Sequence, residues 1–274
     1  MADEQEQALE AALARTEADA DAVLKVASTA TKALKRFHTA AHVGNLRDLR
    51  TTISAAEQAI DALRRQFDTA KAGWDFDEQA YFANGAFLRE VLETARRMNV
   101  RVYEQDELLY SYPSLIRVVP NDRAVLIDKT RERRLRPSVL VAHLRDLQQR
   151  PPRFRDADFL EALYEAYKVK VAQDKGKDQI AQGPVVRLRD IYHLLTLLPG
   201  RSKEYTIQEF VRDRYLLDQS GVNRTKDGAA MYSADSSGTR PSAGSIRVVT
   251  QRGEEKVYYG ISFLKDGQAG GGGT

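Results

Sequence analysis

From Leu9 to Ala70 the apolar side chains keep one rhythm. Leu9, Leu13, Thr16, Ala20, Val23, Ala27, Ala30, Leu34 and Phe37 follow alternating steps of four and three. Leu46, Leu49, Ile53, Ala56, Ile60, Leu63, Phe67 and Ala70 continue it with the steps in reversed order. A repeat averaging 3.5 residues keeps one face of an α-helix against a neighbour, the pattern of helices packed along a coiled-coil seam. His42-Val43-Gly44-Asn45 interrupts it with residues that tolerate the left-handed backbone ending a helix. The expectation is a helical hairpin over 5–72.

Many seam positions of the first helix are alanine. At about 25 cal/mol per Å² of apolar area buried, such a seam is marginal alone and wants a third helix or a second subunit. A third helix is expected over 76–98 from Tyr81, Leu88, Val91, Ala95 and Met98, with Trp74 as a lid. The protein interface is assigned to Leu9, Leu13, Val23, Leu34, Leu46, Leu49, Ile53, Ile60, Leu63 and Phe67, for self-association or a protein partner. Residues 1–99 thus read as an assembly module.

Near residue 100 the period changes. VRVYE, LLYSYP, SLIRVVP and RAVLID are short and rich in β-branched and aromatic residues, with Pro120-Asn121-Asp122 as a turn between the last two. Pro137 suits the first turn of a helix over 137–149, with Val139, Leu140, Leu144 and Leu147 on its apolar face and Arg150-Pro151-Pro152 as its stop. A further helix over 156–172 buries Phe159, Leu160, Leu163 and Tyr167. Residues 100–172 are therefore expected to form a small central β-meander with helices, and polar, glycine-containing 173–184 a linker.

The last third is planned differently. A helix over 187–198 ends at Pro199-Gly200, and another starts at Thr206, where Thr206 and Glu209 match a capping box. Residues 219–244 read as a loop. IRVVTQ and KVYYGISF flank Arg252-Gly253-Glu254-Glu255 as a β-hairpin, with Val257, Tyr259, Ile261 and Phe263 facing one way and Lys256, Tyr258 and Ser262 the other. Helices followed by a hairpin give the order of a winged helix over 185–264, with a flexible glycine-rich tail over 265–274. The fold class expected is α+β, mainly α.

Charge separates these regions. Residues 1–100 carry 13 basic and 16 acidic side chains, a net −3, whereas 117–155 carry 11 basic and 4 acidic, a net +7. The absence of cysteine excludes disulfides, thiolate zinc sites and a cysteine nucleophile, and fits a reducing cytoplasm. MADEQEQALE lacks the plan of a signal peptide, and no apolar run reaches membrane-spanning length. A cytoplasmic protein without a membrane partner is expected.

No phosphate loop, dinucleotide fingerprint, HExxH or GxSxG occurs. His38 and His42, four apart, lack a nearby carboxylate and make a poor metal site. Glu104, Asp106 and Glu107 with Asp128-Lys129 invite comparison with metal-dependent nucleases, which hold a divalent ion with carboxylates near a lysine. Adjacent residues of a regular strand point to opposite faces, however. Glu254-x-Lys256 has the right spacing but sits at a turn. No cofactor, metal or small-molecule substrate is expected, and an enzyme is the third reading.

The stretch KTRERRLRPSVLVAHLRDLQQRPPRFR, from residue 129, carries the better signal. Arg131, Arg133, Arg134 and Arg136 precede its helix, and Arg150, Arg153 and Arg155 follow it, so clusters about 20 Å apart could touch separate phosphates. Arg212, Arg247, Arg252 and Lys256, with Gln208, Arg214 and Arg240, extend the candidate surface into the winged-helix region. Glu209, Asp213 and Asp218 in the candidate recognition helix weigh against groove reading. The function expected is non-catalytic binding of double-stranded DNA through its phosphates, as a dimer or within a multi-subunit DNA-processing or defence complex. The alternative is an adaptor that docks proteins without binding nucleic acid.

Overall fold

The computed structural model describes residues 8–175, 183–234 and 244–265. Residues 176–182 of the expected linker, 266–274 of the expected tail and Arg240 lie outside them. The chain is a mixed α+β protein with a helical N-terminal region and antiparallel sheets. No helix among the described residues is long and apolar enough to cross a membrane. Two compact units divide it: residues up to Thr94 with Arg134–Leu140, and Ala95–Arg133 with the residues from Val141 onward.

In the first unit α1 (Leu9–His42) and α2 (Leu46–Ala72) form the hairpin. Gly44, at φ 70°, makes the turn between them, and the Asn45 side chain accepts the Asp48 N–H at 3.2 Å to cap α2. The expected third helix is two: α3 (Glu78–Ala83) and α4 (Ala86–Arg97). Between them Gly85 sits at φ 74°, and Asn84 Oδ1 accepts the Ala86 N–H at 3.0 Å. An Asn-Gly pair supplies both a cap and a left-handed residue, which ends one helix and starts the next. Trp74 is partly exposed beside buried Phe76, their rings 5.8 Å apart.

The α2 series of the heptad repeat divides. Ala56 is buried, with Leu49, Leu63 and Ala70 half-buried, while Leu46, Ile53, Ile60 and Phe67 remain 45–75% exposed. On α1, Leu9 is buried, Leu13 and Val23 are half-buried, and Leu34 is exposed. A heptad series marks two adjacent ridges of a helix, and a single partner helix covers one of them.

Two carboxylates anchor helix starts in this unit. Glu90 accepts the backbone N–H groups of Leu9 and Glu10 at 2.8 and 2.9 Å and the hydroxyl of Tyr81. Glu10 accepts the Ser138 N–H at 2.8 Å, the Ser138 hydroxyl at 2.9 Å and the Arg136 guanidinium at 2.7 Å. Burial pushes the Glu10 carboxyl up, but the Ser138 N–H, Arg136 and the Ser138 hydroxyl together leave it below the ordinary glutamate range. A lowered folded-state pKa stabilises above the unfolded value, about 4.3 for glutamate, and the contribution disappears as pH falls through the folded one. Thermal melts followed by circular dichroism should therefore show a loss of stability below about pH 4 that is smaller in Glu10→Gln. An identical acid profile in the variant would remove Glu10 from this role.

The second unit opens with an antiparallel meander: β1 (Tyr103–Gln105), β2 (Leu108–Ser111), β3 (Ser114–Val119), β4 (Ala124–Ile127) and β5 (Thr130–Glu132), in that spatial order. Leu109, Ile116, Val125 and Ile127 are buried. β5 was not expected; it is reached through a two-residue turn, Asp128-Lys129, with both residues at positive φ (50° and 87°). Asp106-Glu107 turns the same way between β1 and β2, at 52° and 61°. Positive φ at both central positions is the turn whose twist matches a hairpin.

The helix expected over 137–149 is α5 (Pro137–Gln149). Its face differs by one residue: Val139 is 40% exposed, and Val141 is buried with Leu140 and Leu144. Gln148 Nε2 donates to the Arg101 carbonyl at 2.7 Å and to Ser111 Oγ at 2.9 Å, tying the helix end to the meander.

After α6 (Asp156–Lys175) come β6 (Val186–Arg187), α7 (Leu188–Leu195), α8 (Arg201–Glu204), α9 (Ile207–Ser220), β7 (Ala229–Ala234), β8 (Ile246–Val249), β9 (Glu255–Tyr258) and β10 (Gly260–Lys265). β10 lies between β6 and β7, antiparallel to both, while β8 and β9 pair as a separate ribbon. Part of the region read as a loop, 219–244, is thus strand β7, with Ala229, Ala230 and Met231 buried. The expected alternation along 256–263 also fails at Tyr259. Tyr258 is buried and Val257 half-buried, because the chain changes sheets there. Gly260 makes the change practicable: a Cβ at that position would lie 2.7 Å from the Val186 carbonyl oxygen. One core joins Phe159, Leu163 and Tyr167 of α6, Leu188 and Ile191 of α7, Phe210 of α9, Val248 of β8 and Phe263 of β10.

Candidate functional site

α9 starts as its sequence dictates. Thr206 accepts the Glu209 N–H and Glu209 reaches back to the Thr206 N–H, completing the capping box. From Phe210 to Tyr215 every residue is then buried, including Arg212, Asp213 and Arg214. Arg212 pairs with Asp213 at 3.0 Å and donates to the Pro151 carbonyl at 3.0 Å. Asp213 accepts the Tyr205 hydroxyl at 3.1 Å, and burial pushes its carboxyl above the ordinary aspartate range. Arg214 donates to Asp218, one turn along, and to Ser233 Oγ, with its guanidinium 5.3 Å from the Tyr258 ring centre. Asp218 also takes Lys256 at 2.8 Å and the Tyr258 hydroxyl at 2.6 Å. Burial pushes Asp218 up, and Arg214, Lys256 and Tyr258 outweigh it to hold the carboxyl low. The charges that looked like a solvent face are two internal networks, so Arg212 and Arg214 present no surface for a ligand.

The other sequence-assigned cations fare unevenly. Arg131 and Arg133 belong to one unit, Arg134 and Arg136 to the other. Arg131 pairs with Asp122 at 2.6 Å, Arg136 with Glu10 and Glu17, and Arg150 with Glu209 at 2.9 Å. Arg153 donates to the Glu204 carbonyl and sits 5.5 Å over the Tyr205 ring. Arg247 pairs with Glu255 at 3.0 Å. Arg133, Arg155 and Arg252 are exposed and form no salt bridge among the described residues, while Arg134 is exposed. Gln208 donates to the Asp128 carbonyl at 3.3 Å.

A different grouping of cations emerges within the second unit. The face of the meander opposite its buried side, the Asp128-Lys129 turn, the start of α7, the first turns of α9 and the start of β8 enclose a cleft of about 430 Å³. Leu115, Leu126, Ile207, Val211 and Ile246 give it an apolar floor. Arg117, Lys129, Arg189 and Arg247 stand around that floor. Arg117, Lys129 and Arg189 are exposed and form no salt bridge among the described residues.

One acid, Asp128, shares the cleft. Its Oδ1 accepts the Leu115 N–H at 2.9 Å. Burial raises its carboxyl above the ordinary range, against the opposing hydrogen bonds of Ser114 and Leu115. The carboxylate proposed for a nuclease is therefore a clasp between β3 and the turn. Glu104, Asp106 and Glu107 lie exposed on a hairpin tip. Among the described residues no group of three or more His, Asp or Glu side chains is gathered to hold a metal ion.

A cleft of this size with an apolar floor and convergent polar groups has the dimensions of a ligand site. Arginine forks meet phosphate or carboxylate oxygens bidentately, and a lysine adds a mobile point charge. Of the four cations, sequence reasoning assigned Arg247 to nucleic acid and weighed Lys129 only in the nuclease comparison. The missed signals are local: Leu115 and Arg117 alternate with buried Ile116 on β3, and Arg189 lies on the helix face opposite Leu188 and Ile191. A second, smaller cleft of about 270 Å³ contains Arg187 already paired with Asp190 at 2.9 Å, plus Asp174, and offers no comparable surplus of charge. Compared with protein-family models, curated proteins and solved structures, the chain matches none.

Proposed function

We propose that the protein binds the phosphates of double-stranded DNA without cutting it, and that it does so as part of a protein assembly. The observation that carries this reading is the cleft of the second unit, where Arg117, Lys129 and Arg189, which form no salt bridge among the described residues, stand beside Arg247. The element order supports it. A helix (α6), a strand (β6), two further main helices (α7 and α9) and a strand (β7) precede a hairpin and a last strand (β10) paired with the first. That is the order of a winged helix.

Recognition by the last helix does not follow, since α9 is buried from Phe210 to Tyr215, Arg212 and Arg214 included. The reading is therefore backbone contact with little base specificity. The enclosure of α9, and the internal pairing of Arg131, Arg136, Arg150 and Lys256, favour the second reading, an adaptor that docks proteins alone. A titration against a labelled random-sequence duplex at 50 and 200 mM salt separates the two. Binding at the lower salt that weakens steeply at the higher supports phosphate contact. No binding at 50 mM salt sinks the DNA reading and leaves the adaptor.

A further inference from the structure

Phosphates account for the cations of the second unit's cleft but not for its floor. Leu115, Leu126 and Ile207 are half-buried and Val211 and Ile246 buried, aliphatic side chains from β3, β4, α9 and β8. A continuous duplex offers such a floor nothing. Each base is covered on both faces by its neighbours and shows only its edges in the grooves.

A polar group stands beside the floor. Gln208 donates one amide N–H to the Asp128 carbonyl at 3.3 Å, and its amide oxygen accepts no hydrogen bond among the described residues. A glutamine amide has two donors and an acceptor, so one donor and the acceptor are left over at the cleft. A ligand that satisfies the whole lining has an apolar face, a hydrogen-bonding edge and several negative charges. An acyl chain leaves the amide unmatched, and an inorganic anion leaves the floor bare. A nucleobase held between the phosphates of its own strand meets all three requirements. Bases freed from the stack are bound in this manner, with a face on aromatic or apolar side chains and an edge on hydrogen-bonding ones.

We infer that the cleft takes an unpaired base of DNA, so that the preferred substrate is a duplex that opens into single strand. This rests on the DNA half of the proposed function and deepens it. Arg117, Lys129 and Arg189, from β3, the Asp128-Lys129 turn and α7, take the phosphates flanking the base. The aliphatic floor receives its face and Gln208 its edge. Unstacking is costly within a closed duplex and already done at an open end, and that difference is the source of selectivity. Every base has a face to offer such a floor, so preference for the open structure comes with little preference for sequence.

Three DNAs test this: a blunt duplex, the same duplex extended at one end by three unpaired thymines on each strand, and that fork with abasic sites in place of the thymines. Each is titrated into the full chain by fluorescence anisotropy at about 50 mM salt. The thymine fork is expected to bind about tenfold tighter than the abasic fork, which carries the same phosphates, as befits one stacked base. Leu126→Gln with Ile207→Gln should bring that ratio to about one, with an unchanged circular dichroism spectrum as the folding control. If this variant does not fold, the two forks on the unmodified chain still decide. Salt-sensitive binding of the blunt duplex with equal affinity for the two forks overturns the inference and leaves the DNA reading standing. No binding of any of the three overturns both. A folded floor variant that keeps the tenfold ratio places the base elsewhere and overturns the inference. So does displacement of the fork by millimolar free thymidine monophosphate, which would make the cleft a site for a small nucleotide.

Discussion

Asp218→Ala is expected to destabilise the second unit by about 3–5 kcal/mol, the usual consequence of removing one partner of a buried ion pair. Arg214 is fully buried and loses its only carboxylate partner among the described residues, while Lys256 and the Tyr258 hydroxyl lose their shared acceptor. The desolvation of Arg214 persists without compensation, and α9, the helix through the centre of the unit, bears it. For a unit of this size the loss corresponds to roughly 10 °C in Tm. Asp218→Leu combined with Arg214→Met should cost much less, because an apolar replacement of both partners removes the penalty along with the pairing. Since Asp218 is held below the ordinary aspartate range, its contribution is complete above about pH 4 and fades as pH falls further. Urea unfolding of the three proteins at pH 7 checks the ranking. A loss under 1 kcal/mol for Asp218→Ala would mean that packing, rather than this network, seats α9.

The second large effect concerns nucleic acid. Three phosphate contacts, by Arg117, Lys129 and Arg189, give a slope of about −2.7 in log affinity against log salt, or about a 40-fold loss between 50 and 200 mM. Replacing all three with alanine should flatten that slope to near zero and weaken binding at 50 mM salt by about two orders of magnitude. All three side chains are exposed, so stability should change little. Replacing Arg131, Arg133, Arg134 and Arg136 should do much less. Arg131 and Arg136 are already neutralised by acids, and the four are divided between two units. If the second set abolishes binding and the first does not, the cleft is not where phosphates are held.

What could be read from the sequence was whatever local chemistry decides. Pro137 and Gln149 bound α5 where the proline and the Arg-Pro-Pro stop place them, and the Thr206–Glu209 capping box closes as its spacing implies. The heptads locate α1 and α2, but a repeat cannot say which of its two ridges finds cover; that depends on how many helices arrive. α9 was misread for a tertiary reason. Arg212, Asp213, Arg214 and Asp218 look like a wet face until Tyr205, Ser233, Tyr258 and Lys256, from elsewhere in the chain, supply their partners. The cleft was hidden similarly, because Arg117, Lys129, Arg189 and Arg247 are brought around one floor only by the packing of five separate segments.

The turn that carries Lys129 has an evolutionary reading. At φ 87° it occupies a hairpin position that glycine holds without strain and that disfavours an L side chain by about 1–2 kcal/mol. On the proposed function, stability and ligand affinity pull this single residue in opposite directions. Lys129→Gly should raise the melting temperature while lowering DNA affinity, and selection for thermal endurance alone would be expected to discard the lysine. Its presence sets a measurable exchange rate between folding and binding, legible in one variant by differential scanning calorimetry and one salt titration.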